Sequence, residues 1–160
     1  MSGDAASGEA VFTAKDSKIT TNKGDSFYVT NTTATINLEN NKIINNDSTG
    51  NFLRIQKDSW GNSGSNGGTV KLNLTNQKVT GNIVVDSISK LTMKLSNGST
   101  FKGTINKSND GEISLTLDKT SSITLTGDTY IKSLTNADST NSNINLNGHK
   151  LYIDGVLFSK

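Results

Sequence analysis

A short apolar–polar–apolar phrase recurs along the chain, and this recurrence constrains the fold more than any other feature. The central copies repeat every 21 or 22 residues. Such a period is too short for a pair of helices with a turn, and it is typical of one coil of a parallel β-solenoid. The phrase occupies residues 36–38, 72–74, 93–95, 115–117 and 144–146, and each copy is followed five or six residues later by a further apolar residue, at Ile43, Val79, Phe101, Ile123 and Leu151.

A second column of residues repeats at nearly the same phase. Gly81, Gly103 and Gly127 are separated by 22 and 24 residues, so a bend is expected to recur with the first strand. Each coil then consists of a strand, a polar turn, a second strand, a glycine bend and a third strand, such as residues 83–85. We expect Leu38, Leu74, Leu95, Leu117 and Leu146 to form one inward stack.

Asparagine marks the turn after the first strand. A bend of this kind needs a positive φ angle, which glycine accepts freely and asparagine tolerates best among the other residues. The alternative role of these amides is ligand binding. They lie one to three residues beyond the aligned leucine, at Asn40, Asn41, Asn76, Asn97 with Gly98, and Asn147 with Gly148.

Composition agrees with a solenoid and excludes several classes of function. Only 31% of the residues are hydrophobic, which a solenoid tolerates because each coil buries a thin apolar line and stacks on its neighbours. The net charge of +2 and the scattered lysines do not favour nucleic acid. No apolar run of eighteen residues exists, so membrane insertion is not expected. The absence of cysteine excludes disulfides and thiolate metal sites, in a cytosolic or a surface protein alike.

We predict one domain. Residues 1–9 form a flexible lead, and residues 10–160 form a single β-helix of roughly six coils with about 21–25 residues each. Residues 57–68 leave the coil as an excursion loop, and residues 136–143 form a polar connector. Residues 156–158 are expected to fold across the last coil as a cap.

Several phrases resemble the carboxyl-terminal part of bacterial surface β-helix proteins that carry a carbohydrate-binding domain, within the pectate-lyase-like superfamily. The resemblance covers nearly all of the chain beyond residue 10. It implies a right-handed parallel β-helix, an extracellular or cell-surface location, polysaccharide binding and, in some members, calcium binding. It rests on residues 27–38, 60–68, 84–88, 125–130 and 147–152.

The sequence offers no catalytic residues. A β-helix lyase needs a cation beside a basic residue, and a glycosidase needs two carboxylates facing one bond. Arg54 is the single arginine, and its phrase Arg54-Ile55-Gln56-Lys57 is close to a phrase of β-helix pectin hydrolases. Because the acidic partners are missing, we expect a protein that is not an enzyme.

Trp60 carries the sharpest functional hypothesis. Sugar rings stack on aromatic faces, and a Gly/Ser loop with one tryptophan and neighbouring amides and carboxylates provides that chemistry. The alternative is that Trp60 folds back over the edge of the coil as a hydrophobic lid. Tyr130 and Tyr152 would extend the platform if they face outward. The predicted ligand-binding set is Trp60, Asn62, Asn66, Asp58, Arg54 and Tyr28.

Calcium is the one metal that the residue types permit, because it accepts carboxylate, amide and backbone oxygens at turns. The candidates are Asn45 with Asp47, and Asn82 with Asp86, although neither pair follows a calcium-loop spacing. The lone His149 has no second histidine or cysteine with which to hold a transition metal.

Two functions therefore compete. The first is a polysaccharide-binding or cell-wall-glycan-binding module of a secreted or bacterial cell-surface protein. The second is a structural or adhesive solenoid without a glycan ligand, which acts as a spacer or forms a homo-oligomer through its ends, where strand edges are unpaired.

Overall fold

The computed structural model describes Met1 and residues 9–159, and every regular element among them is a β-strand. In chain order the strands are β1 (Ala10–Lys15), β2 (Lys18–Thr21), β3 (Phe27–Val29), β4 (Thr32–Glu39), β5 (Lys42–Asn45), β6 (Leu53–Ile55), β7 (Gly68–Thr75), β8 (Lys78–Thr80), β9 (Ile83–Val85), β10 (Lys90–Ser96), β11 (Thr100–Gly103), β12 (Glu112–Leu117), β13 (Ser122–Leu125), β14 (Thr129–Ile131), β15 (Ser133–Asn136), β16 (Ile144–Asn145), β17 (Leu151–Ile153) and β18 (Val156–Leu157).

The strands lie on three faces, and a full coil places one strand on each. The first face is the six-stranded sheet β1-β4-β7-β10-β12-β15. The second consists of β2-β5 and then β8-β11-β13-β16, and the third of β3-β6-β9 and then β14-β17. Neighbouring strands within a face are parallel and are not consecutive in the chain. The chain is therefore a parallel β-helix of about seven turns, against the roughly six predicted.

Four of the five predicted leucines form the inward stack. Leu38 pairs with Leu74, Leu74 with Leu95, and Leu95 with Leu117. None of the four exposes more than 1% of its surface, because alternate side chains of a strand point to the same side.

The prediction that the fifth copy of the phrase continues the first face is wrong. Leu117 pairs with Asn136 on β15, whereas Ile144 pairs with Ile123 and so places Leu146 beyond the second face. Leu151 likewise pairs with Thr129 on the third face rather than following Ile123. The predicted connector 136–143 therefore begins with the last residue of a strand.

The predicted positive φ angles are present. They occur at Asn40, Asn76, Asn97 and Asn147, with values from 47° to 56°, and at Gly98 and Gly148. Asn41 is the exception. Its φ angle is not positive, and its side chain is buried inside the coil.

Asn41 belongs to a buried polar ladder that the repeat pattern does not predict. The backbone amide of Asn41 donates to Gln77 Oε1 at 2.8 Å, the Gln77 amide to Ser99 Oγ at 3.0 Å, and the Ser99 amide to Ser121 Oγ at 3.1 Å. Each side chain thus satisfies an amide of the preceding coil at the corner between the first and second faces. We call Asn41, Gln77, Ser99 and Ser121 the polar ladder.

The glycine column is shorter than predicted. The Gly81 amide donates to the Lys102 carbonyl, and a Cβ atom on Gly103 would lie 2.0 Å from the Gly81 carbonyl oxygen, so these two bends stack closely. Gly103, however, pairs with Leu125, and Gly127 packs against Thr104 instead. Two extra residues in the later bend shift Gly127 out of the column.

The ends and the long loop follow the predicted organisation in part. Chain outside the strands runs from residue 56 to residue 67, close to the predicted excursion. β18 pairs antiparallel with β17 and covers its edge, as expected of a cap. Of the predicted lead, residues 2–8 lie outside the described residues, while the Met1 carbonyl accepts a hydrogen bond from the Thr30 amide.

Candidate functional site

The third face carries a column of outward side chains, which we call the outer column. The register of β3, β6 and β9 aligns Tyr28, Arg54 and Val84, and that of β14 and β17 aligns Tyr130 with Tyr152. The residues on either side of each of these positions are buried or half-buried, so strand alternation turns the outer column toward solvent.

Tyr28 and Arg54 are in direct contact. The Arg54 guanidinium lies over the Tyr28 ring, 4.6 Å from its centroid, and the Tyr28 hydroxyl donates to Asp58 Oδ2 at 3.0 Å. Burial, followed by this hydrogen bond, raises the pKa of Tyr28. The Ser59 amide and then the Tyr28 hydroxyl lower the pKa of Asp58.

Arg54 is also held by a buried carboxylate. Its guanidinium forms an ion pair with Asp25, whose side chain is only 4% exposed. The other oxygen of Asp25 accepts hydrogen bonds from the Asn51 amide and from Asn51 Nδ2, both at 2.8 Å. A buried carboxylate, held through one oxygen by Asn51 and paired through the other with Arg54, therefore fixes the cation that covers Tyr28.

The long loop is organised by Asn66. This side chain is 5% exposed, and its Nδ2 donates to the carbonyl oxygens of Asp58 and Trp60, both at 2.8 Å. The Asn66 carbonyl accepts a hydrogen bond from the Asn31 amide, which ties the loop to the end of β3. Asn66 is thus a structural residue of the loop.

Trp60 is half-buried, and Asn62 is exposed in a turn that its carbonyl closes by accepting from the Ser65 amide at 3.0 Å. The structure brings together Tyr28, Arg54 and Asp58 by direct contact, and Asn66 holds the backbone of Trp60 beside them. Asn62 stands apart in its turn. The two predicted roles of Trp60, a ligand platform and a hydrophobic lid, both stay predictions.

Tyr130 and Tyr152 form the second aromatic part of the outer column. Their ring centroids are 4.8 Å apart and the rings are inclined by 4°, so they are stacked. Both side chains are half-buried and face outward, as the extension of the platform requires. Each ring covers one face of the other, so the outer face of the pair is the part that can meet the C–H face of a sugar.

A groove lies between the two aromatic parts, along the bend between the second and third faces. Its volume is about 360 Å³. It offers amides, hydroxyls and one ammonium group, which are the groups that bind sugar hydroxyls. Asn82, Thr104 and Thr126 follow one another at steps of 22 residues, each next to a glycine of the predicted bend, and this spacing is readable in the sequence. Asn51 and Lys107 do not follow it. The polar lining consists of Asn51, Asn82, Thr104, Lys107 and Thr126.

The first calcium candidate is a stabilised turn. Asp47 Oδ2 accepts from the Gly24 amide at 2.7 Å, and Oδ1 accepts from the amide and the hydroxyl of Thr49 at 2.9 and 2.7 Å. Asn45 Oδ1 accepts from the Asp47 amide. The hydrogen bond from Gly24, followed by those from Thr49, lowers the pKa of Asp47 to about 2.

The second calcium candidate is engaged in the same way. Asn82 Oδ1 accepts from the Thr104 amide at 3.0 Å, and Asp86 accepts from the Lys57 amide at 2.8 Å and from the Ser89 hydroxyl at 2.5 Å. Across Met1 and residues 9–159 no group of three or more acidic, histidine or cysteine side chains converges to hold a metal. The side-chain oxygens of both candidates thus accept hydrogen bonds that stabilise turns. Calcium binding stays a prediction that this geometry does not support.

Comparison with known proteins adds no family to these observations. No family model, no curated protein and no solved structure matches the chain. Within the described residues there is also no helix long and apolar enough to cross a membrane.

Proposed function

We propose that this chain is a non-catalytic polysaccharide-binding module of a secreted or bacterial cell-surface protein. The observation that carries the proposal is the outer column, in which Tyr28 with Arg54 and the stacked pair of Tyr130 and Tyr152 flank a polar groove. Aromatic faces beside a few oriented polar groups are the usual chemistry of sugar recognition. The resemblance to surface β-helix proteins points in the same direction.

The column and the groove run along the axis of the solenoid. Three strand spacings separate Arg54 from Tyr130, which corresponds to about 14 Å. A ligand that contacts both aromatic parts must be an extended chain rather than a single sugar. A polysaccharide lying along the axis would place its ring faces on the tyrosines and its hydroxyls on the groove.

Rigidity supports the same proposal. The Arg54–Asp25 ion pair and the hydrogen bond from Tyr28 to Asp58 hold one aromatic part in place, and ring stacking holds the other. A site that is ordered before binding loses less side-chain entropy when the ligand arrives. Binding by this outer column therefore needs no large rearrangement of the coil.

The proposal is tested by measuring retention on insoluble neutral polysaccharides, with cellulose, chitin and xylan as probes. Trp60→Ala and Tyr152→Ala should each weaken retention by roughly two- to tenfold, the range expected for one aromatic contact. Tyr152→Phe keeps the ring and should bind like the intact chain. The melting temperature of Trp60→Ala should stay nearly unchanged.

Each other outcome has a definite meaning. If Trp60→Ala binds normally but melts at a lower temperature, Trp60 is a lid and the outer column alone binds the ligand. If Tyr152→Phe loses as much retention as Tyr152→Ala, ring stacking is not the contact. Failure of the intact chain to bind any of the probes would overturn the proposal.

In that last case the structural solenoid becomes the better account. Among the described residues no strand pairs with the outer edge of β1, and Val11 on that strand is 63% exposed. An unpaired strand with an exposed apolar residue can pair with another chain. Sedimentation at increasing concentration would detect such end-to-end assembly.

A further inference from the structure

The second face carries a row of lysines, although the lysines look scattered along the sequence. Lys18 pairs with Lys42 across β2 and β5. Continuing the pairing of Glu39 with Thr75 by three residues places Lys78 opposite Lys42. We call Lys18, Lys42 and Lys78 the lysine row, and all three side chains are exposed. In the sequence, each lysine directly precedes the inward apolar residue of its second-face strand.

No acidic side chain on this face balances the row. The strands β2, β5, β8, β11, β13 and β16 contain no aspartate or glutamate, and Lys102 on β11 adds a fourth cation. The nearest acidic side chains already have partners. Glu39, the last residue of β4, forms an ion pair with Lys15, and Asp16, in the turn before β2, accepts a hydrogen bond from Asn40 Nδ2. Like charges on neighbouring strands, about 4.8 Å apart, repel each other and lower stability.

The row crosses a break in the sheet. The ladder of the second face stops between β5 and β8, where the Gln77 side chain bonds to both sides: its Nε2 donates to the carbonyls of Asn41 and Lys78 at 2.8 and 2.9 Å. This break leaves an open depression of about 400 Å³, lined by Asn40, Asn41, Lys42, Ile43, Lys78 and Thr80. Two cations therefore stand on opposite sides of a depression that an anionic group can enter.

We propose that the lysine row is a second binding site, which takes a linear carboxylated polysaccharide along the solenoid axis. The row is one residue wide and axial, which suits a linear chain with repeated charges. Thr20, Thr80 and Thr100 flank it with hydroxyls for the sugar hydroxyls. This inference does not rest on the proposed function, because the outer column lies on the third face.

Nucleic acid fits this face less well. Single strands are usually held by bases stacked on aromatic side chains, and no aromatic residue points outward from these six strands, since Phe101 is buried. Duplex DNA is read by a helix or a two-stranded ribbon that enters the major groove, whereas this face is a sheet surface. Binding of DNA through its phosphates alone is one of the outcomes that the test below distinguishes.

The test is titration calorimetry with alginate, a linear carboxylated polysaccharide, in low-salt buffer, with neutral dextran and a short DNA duplex as comparison ligands. Lys42→Gln/Lys78→Gln should weaken alginate binding by roughly tenfold and make it less sensitive to added salt, because two counterion-releasing contacts are lost. The matched control is Lys71→Gln/Lys94→Gln, which removes the same charge from the outer side of β7 and β10 on the first face. The control should bind alginate like the intact chain.

Folding can be separated from binding in the same variants. Removal of two facing like charges should leave the melting temperature unchanged or raise it. Equal losses of alginate affinity in the two double variants would show that only net charge matters and would overturn the proposal. DNA binding as tight as alginate binding would also overturn it, and so would the absence of any alginate binding. Loss of neutral-polysaccharide retention in Trp60→Ala, with alginate binding intact, would show that the two sites are independent.

Discussion

At the scale of single residues, Leu95 is the most central member of the inward stack. It is fully buried and lies between Leu74 and Leu117 in the adjacent coils. Leu95→Ala should lower the free energy of unfolding by about 2–5 kcal/mol, because a cavity is left between two coils that can collapse only in part. Denaturant unfolding measures this change, and Lys94→Ala, exposed on the same strand, should cost less than about 0.5 kcal/mol. A loss below about 1 kcal/mol for Leu95→Ala would contradict the burial of this side chain.

The behaviour of asparagine shows how far single residues could be predicted. A positive φ angle follows from residue type, since asparagine tolerates the left-handed region, and the turns at Asn76 and Asn97 were found in this way. The inward role of Asn41 could not be found in this way, because it depends on Gln77 in the next coil, which is 36 residues away. Trp60 presents the same difficulty, as its role depends on packing rather than on its neighbours in the sequence.

At the scale of elements, the turn from residue 47 to residue 50 depends on one carboxylate. Asp47 binds Gly24 in the preceding coil and Thr49 in its own turn, and its pKa in the folded state is about 2, below the ordinary 3.8. A lowered folded-state pKa stabilises the fold fully above about pH 4, and this contribution is lost as the pH falls toward 2.

Asp47→Asn should therefore melt at a lower temperature than the intact chain at pH 7, and the difference should shrink between pH 4 and pH 2. Melting curves recorded by circular dichroism across that range measure both effects. Thr49→Val removes one donor to the same carboxylate and should show a smaller version of the same trend. Parallel pH profiles for Asp47→Asn and the intact chain would show that this carboxylate does not link the fold to pH.

The misplacement of one strand shows what a repeat pattern can and cannot predict about elements. The apolar–polar–apolar phrase correctly aligned β4, β7, β10 and β12, where successive coils differ little in length. It did not identify β15, because the Ser-Leu-Thr-Asn sequence of that strand carries a single apolar residue. The next copy of the phrase, at 144–146, lies on the second face instead. The phrase identifies an inward-facing strand but not which of three faces the strand occupies. The face depends on how many residues each turn contains, and the repeat pattern does not give those numbers.

At the scale of the whole molecule, stability comes from contacts between neighbouring coils. In such a fold each coil contacts only the coils beside it, so a weak interface lowers protection locally instead of being averaged over the molecule. The first face is continuous over six strands, whereas the second is interrupted between β5 and β8. The polar ladder crosses this interruption through Gln77, which therefore replaces backbone pairing that the sheet lacks there.

Amide hydrogen exchange should detect this interface. Amides of β5 and β8 that face the break should exchange faster than those of β11 and β13, where the ladder is complete, because unpaired amides need no opening of the sheet. Gln77→Ala should speed exchange further on both sides of the break, since it removes bonds to Asn41 and Lys78. Ser99→Ala is the matched control, because it removes a member of the polar ladder where β8 and β11 remain paired, and its effect should be smaller. Uniform protection across the second face, unchanged by Gln77→Ala, would show that the solenoid behaves as one cooperative unit.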